Sequence, residues 1–364
     1  MRESLATIQK IKNLRPIPNA DKIEVAEILG WECVVKKGEF KVNDLIIYIE
    51  VDAVLPSDNP YFDFMKERKY RVRTIKLRGQ ISQGLVCPLS ILPKVTVHCE
   101  EGSDVTKVLN IKHYEDLLPQ VDVEPEKSSK WAIIRYIKRH VIYKKYFHKK
   151  LKGGFPSFLK KTDEERIQKH PNWLNYDYPV YITEKIDGTS ATYFVKKVNM
   201  FNTIFGVCTR NCYQKTIRPS YYWNIAIKEK IEKKLKQARK DLGIDICIQG
   251  EIIGPKIQDN KYKKTELEFY VYNVYDITRQ EYFCFADIKD FCSAYSFKMV
   301  PIDCENTGLI CVMGNVSQAV EYSKDQSKIN PTIKREGIVV RSVLDQKELS
   351  FKVINPEFSL EYNE

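Results

Sequence analysis

The feature that most limits how this chain can fold is the brevity and punctuation of its apolar runs over the first hundred residues. Residues 6–11 and 23–29 alternate apolar with polar side chains, Gly30 breaks the second run, and 31–35 and 45–51 follow. Turn formers separate them, Lys37-Gly38-Glu39 in one gap and Asn43-Asp44 in the next, and residues 72–78 and 84–87 continue the pattern. A period of two sends successive side chains to opposite faces of an extended backbone, so each run reads as a half-buried strand. Short strands with regular turn signals close into a barrel or stack as a sandwich. The strand count and the length fit a five-stranded, all-β OB-fold barrel over residues 1–115.

Beyond that point the chain changes character. Residues 116–130 are rich in Pro, Asp, Glu, Lys and Ser, the composition of a linker. Residues 131–152 interleave Lys and Arg with Trp131, Tyr136, Tyr143, Tyr146 and Phe147, while Ile133, Ile137 and Val141 fall near helical spacing. A basic amphipathic helix is predicted there. It either bridges two domains in solvent or tracks a phosphate backbone; nothing else in the sequence supports a membrane-surface role. Residues 153–364 form a second domain of α+β class. Strand-like runs occur at 178–183, 190–195, 203–209, 244–253, 269–275, 337–342 and 349–354. One helix is expected over 222–242, stopped by Gly243, and another over 286–295. The expected architecture is antiparallel sheets with flanking helices.

Composition enters where partners and compartment are concerned. Lys and Arg number 59 against 48 Asp and Glu, a net charge of +11, which suits a polyanionic partner as well as simple solubility. Ten cysteines are scattered without a CxxC pair, which argues against a zinc ribbon. The chain opens Met1-Arg2-Glu3-Ser4, without the apolar segment of a signal peptide, and holds no run of apolar residues long enough to cross a bilayer. An intracellular, reducing compartment, cytoplasm or nucleus, is expected.

The chemistry is concentrated in the second domain. In Glu184-Lys185-Ile186-Asp187-Gly188 a lysine leaves a strand, an aspartate follows two residues on, and a glycine opens the turn. An ordinary lysine has a pKa near ~10.4 and is almost wholly protonated at neutral pH. To act as a nucleophile it must lose that proton, and a carboxylate alone opposes the loss. A carboxylate holding a divalent cation reverses the local sign. Lys185 with Asp187 as a metal ligand is therefore chemically coherent, although a surface turn can carry the same four residues.

Further stretches share that domain. Phe205-Gly206-Val207-Cys208-Thr209-Arg210-Asn211 ends a strand with an arginine suited to a phosphate or ribose. Gln249-Gly250-Glu251-Ile252-Ile253-Gly254 sets a carboxylate inside an apolar strand, where it needs a metal, a sugar hydroxyl or an arginine. In Phe269-Tyr270-Val271-Tyr272-Asn273-Val274-Tyr275-Asp276, strict alternation puts Tyr270 and Tyr272 on one face and Tyr275 on the other; such rings serve a core or stack on a purine. Glu336-Gly337-Ile338-Val339-Val340-Arg341 opens with a carboxylate and closes with an arginine, and Leu349-Ser350-Phe351-Lys352-Val353-Ile354 brings a lysine into the last strand.

In order and spacing these segments resemble motifs I, Ia, III, IIIa, IV and V of the covalent nucleotidyltransferases, the polynucleotide ligases and mRNA capping enzymes. Within that superfamily the chain is similar to ATP-dependent RNA ligases related to bacteriophage RNA ligase 2. Phe155-Pro156-Ser157-Phe158, Lys161-Thr162-Asp163-Glu164-Glu165-Arg166-Ile167-Gln168 and Gly254-Pro255-Lys256-Ile257-Gln258-Asp259-Asn260 resemble flanking stretches of that group. Pro16-Ile17-Pro18-Asn19-Ala20-Asp21-Lys22-Ile23-Glu24 and Lys76-Leu77-Arg78-Gly79-Gln80-Ile81-Ser82-Gln83-Gly84 resemble the OB module of the Naegleria-type RNA ligases. That group carries the OB domain ahead of the transferase domain, whereas DNA ligases and capping enzymes carry theirs after motif V.

The resemblance implies an enzyme that seals RNA 3′-OH and 5′-phosphate ends, nicks in duplex RNA or RNA:DNA hybrid among them, as a monomer with ATP and Mg²⁺ or Mn²⁺. Lys185 becomes the nucleophile that forms lysyl-AMP. Asp187, Glu251 and Glu336 become metal ligands, partly through water. Arg210 contacts ribose or phosphate, Tyr272 stacks on adenine, Glu184 helps place the adenine or its ribose, and Lys352 with Arg341 neutralises phosphate charge. Two departures stand out. Ser350 lies two residues before Lys352, where many ligases have a second lysine, and Asn273 follows Tyr272 where many relatives have Asp. Rival readings are a GTP-dependent capping guanylyltransferase, a DNA ligase, and a non-catalytic OB protein that binds nucleic acid.

Overall fold

A computed structural model describes residues 4–93, 99–114, 154–199, 202–214 and 220–362. The linker and basic helix expected over 116–152 lie outside the described residues. Each alternating run of the first domain is a strand: Ala6–Lys10, Ile23–Ile28, Trp31–Lys36, Leu45–Ile49, Thr74–Leu77 and Leu85–Pro88. The sequence pattern does not reveal Asn13–Pro16, Ala53–Val54, Gln80–Gln83 or Lys112–His113. The strands are not one five-stranded ladder. Leu45–Ile49 is flanked by Ala6–Lys10 and Leu85–Pro88, Ile23–Ile28 by Asn13–Pro16 and Trp31–Lys36, and Thr74–Leu77 pairs with Gln80–Gln83. Side chains tie these pieces together: the Ser82 hydroxyl accepts from the Val34 amide, and the Tyr48 hydroxyl donates to the Gln83 carbonyl. Trp31, Tyr48, Phe40 and Ile28 fill one core, and Ile8, Ile47, Phe62 and Val105 fill another.

The second domain is built on two five-stranded sheets. In the first, Pro179–Lys185 lies between Ile302–Gly308 and Gly337–Ser342, and Ser350–Ile354 and Glu165–Arg166 follow outward. All its pairs are antiparallel except Glu165–Arg166 with Ser350–Ile354, a parallel departure from the expected architecture. In the second, the order is Thr203–Thr209, Thr189–Lys197, Ile246–Ile253, Glu268–Asp276 and Glu281–Tyr282. Helices cover one face of each sheet. Tyr221–Lys228, Ile231–Leu242 and Phe285–Ala294 bury Trp223, Ile225, Leu235, Ile288 and Phe291 against the second sheet. Leu309–Val312 and Val316–Ser323 cover Ile182, Ile338 and Phe351 of the first. The single helix expected over 222–242 is two, because Lys230 adopts a left-handed conformation, φ 54°, between them. Gly243, φ 70°, ends the second as predicted.

The two domains meet through buried charge. Lys169 Nζ lies 2.9 Å from a Glu50 oxygen, with side chains only 12% and 8% exposed. Asp52 pairs with Arg71 at 2.6 Å and Arg166 at 3.5 Å, and the Arg166 guanidinium stands 5.5 Å from the Trp31 ring centre. The Gly30 amide donates to the Gln168 carbonyl at 3.1 Å. The partners on the second-domain side fall between residues 166 and 169, and Arg166 lies in register with Lys352 of the site described below.

Candidate active site

The strand Pro179–Lys185 belongs to the first sheet and the next, Thr189–Lys197, to the second. Residues 186–188 are therefore the corner where the backbone crosses between sheets. Gly188 is required there: a Cβ at this position would lie 2.4 Å from the Ile252 carbonyl oxygen and 2.9 Å from the Ile253 side chain. Glycine lets the corner sit directly on the strand that carries Glu251.

Register places the rest of the first sheet's contribution. Tyr181, Thr183 and Lys185 pair with Arg341, Val339 and Gly337, which pair in turn with Ser350, Lys352 and Ile354. Alternate residues Val180, Ile182, Ile338, Val340, Phe351 and Val353 point into the helix-covered core, so the other set faces the second sheet. Lys352 lies one row from the lysine. Ser350, two residues before it, marks the far end of the face, and Ile354, two residues after, shares a row with Lys185.

Lys185 Nζ is 2.5 Å from Glu336 Oε1, and the two side chains are 25% and 11% exposed. Burial works against the charge on Lys185, but Glu336, Glu251 and Asp187 outweigh it and hold the amine above the ordinary lysine range. Glu251 is the opposite case. Burial, reinforced by the charges of Glu336 and Asp187 and only partly offset by Lys185 and Arg210, pushes its carboxyl up to about 8. The second oxygen of Glu336 is buried without a partner. Asp187 Oδ2 pairs with Lys261 at 2.5 Å, and the Asp187 amide donates to the Tyr262 hydroxyl at 2.9 Å.

Tyr272 stands at the other end. Its hydroxyl lies 2.9 Å from Thr162 Oγ1 and 2.8 Å from Ser190 Oγ, and the Arg341 guanidinium is 5.8 Å from its ring centre. Strict alternation misplaces one of its neighbours. The ladder slips between Gln249 and Gly250, so Gln249 faces Asn273 and Gly250 faces Val271, with Tyr272 the extra residue of a bulge. Beyond the bulge the faces exchange: Val274 joins Val271 in the helix-side core, and Tyr275 ends on the same face as Tyr270 and Tyr272 rather than the opposite one. Asn273, 1% exposed, puts no charge behind the ring.

Two expectations need correction, the side-chain roles given to Glu184 and Arg341. Glu184 points away from the pocket: its oxygens accept from the Ser327 hydroxyl at 2.5 Å and the Lys328 amide at 2.8 Å, and it is 2% exposed. Its parity is one residue out of step with Lys185, so its carboxylate lies on the opposite face of the strand. Arg341 is committed to Glu164, Nη2 and Nε lying 2.8 and 3.1 Å from one oxygen, while the Ser350 hydroxyl donates to the other. Its charge is compensated where a phosphate contact was expected. Asp187, Glu251 and Glu336 were expected to hold a metal partly through water, and among the described residues no three acidic, thiol or imidazole groups converge on one point. Arg210 does border the site, since its charge acts on Glu251, but its guanidinium is paired with Asp163 at 2.8 and 3.1 Å. The donor set still suits a hydrated hard cation. It is all carboxylate, it includes a buried oxygen without a partner on Glu336, and it crowds negative charge onto Glu251.

Sequence reasoning missed Thr162, Glu164, Ser190, Lys261 and Tyr262. All but Ser190 lie in or beside flanking stretches whose resemblance was visible but whose roles were not.

Comparison with known proteins agrees with this geometry. Residues 5–89 match a family model described as an OB-fold domain, and residues 178–354 match one described as RNA ligase. Among solved structures, the chain is similar to the Naegleria gruberi RNA ligase with pyrophosphate, at 29% identity and a TM-score of 0.80 over 98% of each chain. Mutants of that ligase, one with ATP and Mn and one with AMP and Mn, match at the same identity and TM-score, over 99% and 98% of this chain and 98% of theirs. No curated protein matches significantly. A lysine gripped by carboxylates at the corner between two sheets, an OB domain docked ahead of it, and both domain matches lead to one conclusion: this chain belongs to the RNA ligases of the covalent nucleotidyltransferase superfamily, in the arrangement with an N-terminal OB-fold domain.

Proposed function

We propose that this protein is an ATP-dependent RNA ligase that joins 3′-OH and 5′-phosphate RNA ends, nicks in a duplex being the target that fits best. The observation that carries the reading is Lys185 at the sheet corner, 2.5 Å from Glu336 and within the field of Asp187 and Glu251. ATP use and a divalent metal accord with the Naegleria ligase solved with ATP and Mn. Lys185 attacks the α-phosphorus of ATP, a P–N bond forms, and the bond to pyrophosphate breaks. The adenylate passes to the RNA 5′-phosphate, and a 3′-OH then displaces AMP. Each is a phosphoryl transfer in which positioning and charge neutralisation do most of the work.

The chain's own groups divide that work. Tyr272 offers its ring to the adenine, held in place by Thr162 and Ser190. Lys352, one row from Lys185, faces the phosphates, and Arg210 stands at the rim beside Glu251. Asp187, Glu251 and Glu336 would hold Mg²⁺ or Mn²⁺ through its water shell, and the bound cation supplies the positive charge that opposes the lysine proton and steadies the phosphates. Before the attack, Lys185 must give up the proton these carboxylates hold on it. The protein acts as a monomer, and cysteines scattered without a CxxC pair fit a reducing intracellular compartment.

Incubation with α-labelled ATP and Mn²⁺ tests the reading. A labelled protein adduct is expected from the native chain and from neither Lys185→Ala nor Lys185→Arg, because guanidinium does not deprotonate in proteins. An adduct that survives both substitutions refutes it. Sealing of nicked duplexes with RNA or DNA on either side of the nick then separates RNA from DNA ligation.

A further inference from the structure

Lys261 belongs to no motif that singled it out, yet it is one of the least exposed charged side chains at the site. Its side chain is 6% exposed, with Nζ 2.5 Å from Asp187 Oδ2, and Asp187 is itself 10% exposed. On its other side Lys261 meets two aromatic rings of the helix Pro356–Tyr362, with Nζ 4.9 Å from the Phe358 centre and 4.7 Å from the Tyr362 centre. The next residue, Tyr262, is 4% exposed and accepts the Asp187 amide. Consecutive residues 261 and 262 thus grip both the carboxylate and the backbone of Asp187, and the last described helix backs that grip.

Burying an ammonium is costly unless it is paired and its remaining surface is matched. Here a carboxylate meets one side and two ring faces the other, an arrangement that fixes a side chain with four rotatable bonds in one position. The location gives that rigidity a purpose. Asp187 is two residues from Lys185 and already acts on its charge. With the Lys261 ammonium removed, the Asp187 carboxylate is drawn more strongly toward the charge of the nucleophile it already acts on, and a second ion pair would tie down the amine that has to move onto phosphorus.

We propose that Lys261 is a positioning residue that keeps Asp187 turned away from Lys185, and that the helix Pro356–Tyr362 is part of the active site because it holds Lys261. The inference rests on the ligase reading for its catalytic consequence but not for its structural one. Two readouts keep these apart.

The first is single-turnover lysyl-AMP formation in Lys261→Met, Lys261→Arg, Asp187→Asn and the Lys261→Met/Asp187→Asn pair. At saturating ATP, Lys261→Met should slow the step by about thirtyfold with KM for ATP within about threefold, and Lys261→Arg should restore most of the rate. The double variant should be no slower than Asp187→Asn alone, since a residue acting only through Asp187 has nothing left to lose. The second is amide exchange of the nucleotide-free protein across residues 184–190. It should quicken by about tenfold in Lys261→Met and in Phe358→Leu, and stay native in Lys261→Arg. Native rates and native exchange in Lys261→Met overturn the proposal, as do fully additive losses in the double variant. A native chain that forms no adduct but shows the predicted exchange pattern overturns the ligase reading and leaves the grip on Asp187 standing.

Discussion

Glu251→Gln should make this protein more stable and less active, by an amount that depends on pH. The folded state holds the Glu251 carboxyl up at about 8 against an ordinary 4.5, chiefly through burial. Between those values the folded chain keeps a proton that the unfolded chain has released. Stability contributed by that proton is therefore largest near pH 4.5 and is lost as pH rises through about 8. At about 1.36 kcal/mol per pH unit, moving a carboxyl from 4.5 to about 8 corresponds to about 5 kcal/mol at most. Water entering the pocket and side-chain rearrangement leave about 2–3 kcal/mol to be expected. Glutamine is nearly isosteric and carries no charge, so it escapes the penalty. Urea unfolding of both proteins from pH 5 to pH 9, with chelator to exclude divalent ions, reads the difference directly. The variant should gain on the native chain steadily as pH rises, and its adenylylation should fall by at least about 100-fold. A stability difference that is flat across that range, or that favours the native chain at pH 9, refutes the argument.

The sheet and the domain contact make two further predictions. Gly337→Ala puts a Cβ 2.1 Å from the Val353 carbonyl oxygen and 3.0 Å from the Ile354 Cα; because both are backbone, the strand carrying Lys352 must shift, costing about 1–3 kcal/mol in urea unfolding and most of the adduct yield. Lys169→Met removes a buried ammonium 2.9 Å from Glu50, which is 8% exposed in the contact between domains, so it should cost about 1–3 kcal/mol at neutral pH and expose residues 160–170 to protease, whereas replacing both partners with apolar residues should recover much of the loss.

Much of the fold was legible because the chain uses short, regular strands. The runs at 203–209 and 337–342 match the strands residue for residue, since alternation and flanking turn formers report burial directly. Two-residue strands such as Glu165–Arg166 left no pattern, and the break at Lys230 was hidden because a lysine in left-handed conformation looks like any other in a basic helix. For the site, order and spacing singled out Lys185, Asp187, Glu251, Tyr272, Glu336 and Lys352. They failed where a role depends on which way a side chain turns. Glu184 and Lys185 are neighbours in sequence and face opposite sides of a strand. Arg341 looked available until Glu164, 177 residues away, took its guanidinium. One extra residue at Tyr272 reversed the faces beyond it, and a bulge has no signature in composition. Lys261 was invisible because its importance is relational: an aspartate on one side and two rings on the other, from three parts of the chain.

The segment from residue 162 to residue 169 has a mechanical consequence. Within eight positions Thr162 holds Tyr272, Glu164 holds Arg341 and Ser350, Arg166 reaches Asp52, and Lys169 reaches Glu50. Arg166 also lies in register with Lys352 in the parallel pair of strands. The segment is a short tether with one end anchored in the OB domain and the other on Tyr272, Arg341 and Ser350. A displacement of the OB domain would therefore be delivered to Tyr272, Arg341 and Ser350 within eight residues of chain, and a displacement of those side chains would pull back on the OB domain by the same route.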